Sequence, residues 1–450
     1  MTRTGDIAAP AITPHTVGAD APIASWRWRP IIGLEYLPQA PYVWDDDDQT
    51  VVWDAATLVW DAPFVGSGYT DAVCDFIALD LDPGEADELF LFPPVTATLT
   101  LDNRAGTYTP WSADGRLLYW APGRRMSIIA RRPDTGEQLW LFGGRVASWQ
   151  VNADDTVTVV AYDGLSLLAQ ELGGNQTFGH TSDNVTARII AITTAAAYPD
   201  RVDIDSGTVT LGQVTDAVSP LEAIQRVALS DGGIFYGDAD GSIDYRNRNW
   251  RNGRTDQPTV WVVSDNICDA QVVIWDPELA ADDERLATDV RLVNTAGTAA
   301  NAALGSSLWA SDARYVLTHP DPDLWQAPGD GQDLANYLLA NQSTPSMAID
   351  SFDLYVQDPV QFPAPWDLAV GSRRGDRIEV VHDYLDPDGD PGSLDLFAVV
   401  LGVHHAITPE EWVATFNLSR TVAYKPVQVL LWDRSPYTWD NTNPANVWRY

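Results

Sequence analysis

The chain has 450 residues, enough for about three domains at roughly 150 residues each. Its 45% hydrophobic and 20% charged residues supply sizeable cores and exclude wholesale disorder. Lysine and arginine total 27 against 63 aspartates and glutamates, and the resulting net charge of −36 argues against binding nucleic acid through its phosphates.

Residues 1–35 are rich in proline and alanine and read as a docking arm or flexible lead-in. No apolar h-region follows the start, and no apolar run approaches the ~20 residues of a membrane span. The expectation is therefore a protein folded in a cytoplasm, with no membrane span. Residues 36–69 carry a ladder of Trp-Asp pairs at Trp44, Trp53 and Trp60. Residues 425–450 carry a second ladder at Trp432, Trp439 and Trp448. Propeller blades repeat such pairs every ~40–45 residues, much further apart than here. Short strands with one aromatic anchor each fit better, and tryptophan at such anchors marks an interaction surface or a cover for the protein's own core.

Residues 70–170 read as half-buried antiparallel strands. Ala97, Leu99 and Leu101 alternate with polar residues, as do Met126, Ile128 and Ala130, and then Val157, Val159 and Ala161. Residues 171–300 bring helices. Val185, Ile189 and Ile192 recur at helical spacing before Pro199. Ser219, Pro220 and Glu222 form a capping box for a helix that Gly232-Gly233 end. A hairpin turning at Asp240-Gly241 follows. Within residues 301–424 one further helix is expected over about 331–342, and strands return from about 346. The predicted fold class is mainly β with an α+β centre: two tube-like β-barrel modules flanking a small α/β region.

Motifs for chemistry are missing. There is no G-x-S-x-G elbow, no P-loop and no H-E-x-x-H, and Lys425 is the only lysine. His404 and His405 are adjacent, so on a strand they point to opposite faces and cannot easily share a metal. Cys74 and Cys268 are too few for a disulfide framework and are expected as free thiols. Asp386, Asp388 and Asp390 alternate, but Pro391 and Phe397 stand where an EF-hand needs glycine and glutamate. That loop reads as a solvated turn or a looser calcium site. A glycosidase carboxylate pair has no sequence spacing to search for. No catalytic residue, metal ligand or cofactor is therefore assigned.

Four stretches taken in order carry a resemblance. They are Ala97–Tyr108 with Pro122-Gly123-Arg124 and Leu141–Val146; Pro220–Ile224 leading into Gly233–Ile243; Gly375–Val380; and Gly402–Trp412 ending at Leu418-Ser419. The set resembles minor tail proteins, or baseplate hubs, of long non-contractile-tailed bacteriophages of actinobacterial hosts. The resemblance implies a virion protein at the tail tip, assembled in the host cytoplasm as a homotrimer that continues the tail tube. Implied partners are the distal tail protein, the tape-measure protein and fibre or receptor-binding proteins, with genomic DNA only as passing cargo. It also implies a structural role and no enzyme. The alternative is a carbohydrate-binding adhesin or glycan hydrolase of the tail tip acting on the host cell wall.

Overall fold

The computed structural model describes residues 29–36, 68–71, 75–84, 92–109, 122–132, 135–170, 176–178, 182–212, 214–216, 219–248, 261–265, 272–280, 287–303, 316–319, 324–342, 348–356, 362–385 and 391–419, and structural statements concern these. The first run of strands is β1 (Arg29–Tyr36), β2 (Gly68–Asp71), β3 (Phe76–Asp82), β4 (Thr96–Asp102), β5 (Arg125–Arg131), β6 (Gln138–Val151) and β7 (Thr156–Tyr162). A mixed run follows: α1 (Leu165–Leu168), β8 (Gln176–Phe178), β9 (Asp183–Asn184), α2 (Val185–Ala195), β10 (Val202–Ile204), β11 (Thr210–Leu211), β12 (Val214–Asp216), α3 (Pro220–Asp231), β13 (Ile234–Gly237) and β14 (Ile243–Arg246). The remainder is β15 (Trp261–Ser264), β16 (Val272–Val273), β17 (Trp275–Ala280), β18 (Asp289–Val293), β19 (Ala299–Ala303), β20 (Val316–His319), α4 (Pro328–Gln342), β21 (Ala348–Tyr355), α5 (Pro363–Gly371), β22 (Arg377–Leu385), β23 (Pro391–Ile407) and β24 (Trp412–Leu418). The class is mainly β with an α/β centre.

Period-two alternation builds the main sheet. Ala97, Leu99 and Leu101 on β4 and Val157, Val159 and Ala161 on β7 are all buried. The two strands pair antiparallel with Leu99 opposite Val159, which fixes the register that keeps both apolar sets inward. Strand β5 differs from a half-buried strand: Met126 through Ala130 are buried on both faces. It lies between β1 and β6, so it is a central strand.

The strands before residue 170 and those after residue 346, together with β15, β16 and β17 from between them, form one 14-stranded sheet. The seam is β3 against β23, with Leu81 opposite His405 and Leu79 opposite Ile407. One apolar core runs beneath both halves, from Leu99 and Val159 to Phe352, Trp412 and Phe416. Fully burying a side chain such as Phe352 is worth about 1.5–3 kcal/mol, so this shared core ties the halves strongly. No barrel closes among the described residues. The nearest approach is the segment 272–280, which pairs with β15 at its start and with β21 further on.

A second core holds the α/β unit, with α2, α3, α4, the β13–β14 hairpin and β18–β19 around it. Ser219 caps α3 by accepting a 3.2 Å hydrogen bond from the Glu222 N–H, and Gly232 ends the helix at φ 71°. Ser219→Ala is expected to lower stability by about 1 kcal/mol, read as a lower urea midpoint with unchanged slope. The buried Asp231 carboxylate accepts from the Tyr245 hydroxyl at 2.5 Å and from Thr208, which locks the helix end to β14.

Helix α5 was not legible as a helix. Strands are expected from about 346 onward, but Pro363 and Pro365 suit a first helical turn, where no intrahelical N–H bond is required. It buries Trp366 edge-on against Trp412, with ring centroids 5.3 Å apart.

Candidate functional surface and the joint beneath it

Because one face of the sheet is committed to the core, the other face presents every second residue outward. Across β21, β24, β23, β3, β4 and β7 those residues form continuous rows. One row runs Ala406, Asp80, Thr98 and Val160, and beside it Asp353, Thr415 and His404 stand in register, with His404 reaching Asp80 diagonally across the seam. The Thr415 hydroxyl donates to Asp353 at 2.6 Å, and His404 Nε2 lies 3.0 Å from an Asp80 oxygen across the seam. Thr96, Thr98, Thr100, Thr156 and Thr158 add hydroxyls, and Asp82, Asp102 and Glu278 add carboxylates.

The strands β17, β21, β24, β23, β3, β4 and β7 contain no lysine or arginine. Arginines of the same sheet stand on β1, β5, β6 and β22, at Arg29, Arg125, Arg131, Arg145 and Arg377. At the margin Arg104 folds back onto Asp102, and that hydrogen bond holds the Asp102 carboxyl below its usual range. The surface is a wall that carries carboxylates and hydroxyls, with exposed Ile77, Tyr162, Trp275 and Tyr355 among them, and its one cationisable group among the described residues, His404, already faces Asp80.

Beneath the wall, where the sheet meets the α/β unit, a cavity of about 90 Å³ is lined by Asp163, Arg374, Tyr236, Asp238 and His405 among others. Asp163 follows β7, and its carboxylate accepts from the N–H groups of Val95 and Leu165, each at 3.0 Å. Burial pushes its pKa up to about 6 despite those bonds and the nearby Arg374 charge. The Arg374 guanidinium donates to the Pro83 carbonyl at 3.2 Å and lies 5.0 Å from the Phe92 ring. Its Nη1 is buried without a partner. Burial lowers the Arg374 pKa, against the attraction of Asp163.

The sequence-predicted anchors Trp44, Trp53, Trp60, Trp432, Trp439 and Trp448 lie outside the described residues, as do Cys74, Cys268 and the loop 386–390. The two histidines do point apart. His404 meets Asp80 outside, while His405 is buried, accepts from Trp412 Nε1 at 3.2 Å, and has its pKa pushed down to about 3 by burial. Sequence reading missed Asp163 and Arg374. The available signal was a charged residue closing an alternating strand, and a second arginine in the turn Ser372–Gly375.

No protein-family model matches the chain, and no curated protein does. Among solved structures, the tail protein of Neisseria meningitidis MC58 superposes with a TM-score of 0.54 at 12% identity, covering 78% of this chain and 94% of that one. The two chains share a fold. The 43 kDa tail protein of prophage MuSo2 from Shewanella oneidensis matches at a TM-score of 0.47 and 11% identity, over 78% of this chain and 93% of that one. Prophage tail protein gp18 of Listeria monocytogenes EGD-e matches at 0.42 and 10% identity, over 79% and 92%. Among the described residues, no helix is long and apolar enough to cross a membrane.

Proposed function

We propose that this chain is a structural hub of a bacteriophage tail tip, with three copies forming a ring that continues the tube of a long non-contractile tail. The observation that carries the reading is the wall of seven neighbouring strands without a lysine or arginine. Passing DNA carries one negative charge per ~1.7 Å of axis and binds wherever lysine or arginine meets its phosphates. A surface of carboxylates and threonine hydroxyls offers it no such contact. The seven strands span six spacings, about 29 Å, so three copies enclose a bore on the order of 30 Å between backbones. In this reading the wall faces the channel. The distal tail protein, the tape-measure protein and fibre or receptor-binding proteins attach elsewhere, through the Trp-Asp ladders among other surfaces. The hub acts by position, without a catalytic step.

The test is charge reversal on the wall. Particles carrying Asp80→Arg, Thr98→Arg and Asp353→Arg together are expected to assemble with unchanged protein composition and to adsorb normally. Their DNA release, followed by dye fluorescence after receptor addition, is expected to slow at least tenfold, with the slowing relieved by salt. Normal release from such particles would contradict a channel-facing wall.

A further inference from the structure

The joint around Asp163 is built from four separate parts of the chain. The β3–β4 connection brings Pro83, Phe92 and Val95; the end of β7 brings Asp163; the hairpin brings Tyr236 and Asp238; and the turn before β22 brings Arg373 and Arg374. The hairpin lies directly on the Asp163 carboxylate: a Cβ added to Gly237 would stand 2.2 Å from its Oδ2. The same carboxylate ties the entry to β4 to the start of α1. Arg374 gives one guanidinium nitrogen to the Pro83 carbonyl, and its Nη1 is left unpaired beside the cavity.

We infer that this joint is a proton-operated coupling between the α/β unit and the main sheet, tight when Asp163 is protonated and looser when it is ionised. Closing the joint takes the carboxyl out of water, and opening it returns the carboxyl to water. Burial outweighs the two N–H bonds and the nearby Arg374 charge, so the closed joint favours the neutral carboxyl, whereas in the opened joint it ionises in the ordinary range. Protons therefore bind the closed form more tightly. The closed form gains as pH falls from about 6 towards 4 and is weakest, and pH-independent, above about 6. The charged and titratable groups facing Asp163 are Arg374 and Arg373 from the turn, Tyr236 and Asp238 from the hairpin, Tyr198 after α2 and His405 from β23. His405 is already neutral through this range, because burial holds its pKa near 3. Asp244, on the neighbouring β14, is raised to about 7 by burial and is the group most able to imitate the effect. The inference does not depend on the hub reading, since the joint is internal to one chain.

The test is hydrogen exchange on the full chain between pH 4 and 8, corrected for intrinsic rates and read at the Val95 and Leu165 amides and at the hairpin amides of Asp238 and Gly241. Opening of the joint is expected to be suppressed about tenfold per pH unit below 6, up to about a hundredfold. Asp163→Asn is expected to abolish that dependence, and Asp244→Asn to retain it. Arg374→Gln removes the cation and is expected to move the transition to higher pH. The same pH dependence in the wild type and Asp163→Asn would overturn the inference. If Asp163→Asn does not fold, carbon-detected titration of the Asp163 carboxyl in the wild type decides. A midpoint near 6 supports the proposal and a midpoint at or below 4 overturns it.

Discussion

Trp412→Ala is expected to destabilise the chain by about 3–5 kcal/mol, the range for removing a fully buried aromatic side chain. Trp412 is 1% exposed and packs edge-on against Trp366, holding helix α5 to the sheet. Its indole N–H also satisfies His405 Nδ1, and stranding that acceptor in the core adds about 1–3 kcal/mol to the local cost. Trp412→Phe keeps one aromatic ring in the core while removing the donor and the second ring, so it retains most of the packing that alanine loses. Urea unfolding of the two variants is expected to give a markedly lower midpoint for alanine than for phenylalanine. Equal midpoints would assign the effect to the hydrogen bond instead of the packing.

Gly143→Val is expected to cost about 1–3 kcal/mol through overpacking, with the damage concentrated in the α/β unit. Strand β6 passes the hairpin turn at backbone contact: a Cβ on Gly143 would lie 2.8 Å from the Asp240 carbonyl carbon and 2.8 Å from the Gly241 nitrogen. A side chain there pushes the turn off the sheet. Amide exchange is expected to accelerate at Gly241 and Ile243 while β24 keeps its protection. Gly329→Ala supplies the opposite sign. No atom lies near its added Cβ and it sits in the first turn of α4, so a gain of about 0.4–1 kcal/mol is expected.

Local chemistry in the sequence carried the elements whose causes are local. Thr156–Tyr162 alternates apolar and polar and is found as strand β7 with Val157, Val159 and Ala161 inward. Ser219 and Gly232 punctuate α3 because capping groups act within one turn. The hairpin at Asp240-Gly241 is present, but its four residues on each strand are all buried. Helices and the main sheet cover it, and that covering is a tertiary fact that no two-residue period records. The seam between β3 and β23 joins residues more than 300 apart, for which no local pattern exists. The cation-free wall was half legible: the acidity is in the composition, but its segregation onto one run of neighbouring strands needs the pairing order. The joint at Asp163 was not legible, because a single Asp after a strand looks like a turn residue until Arg374 and Tyr236 are brought beside it.

The central claim is tested most directly by a reconstruction of the assembled particle at the tail tip. The account predicts three copies of this chain around the tube axis, with Asp80, Thr98 and Asp353 facing the channel and Arg131 of β5 turned away from it. A single copy off the axis, or a ring with the arginine-bearing strands facing the channel, would contradict it.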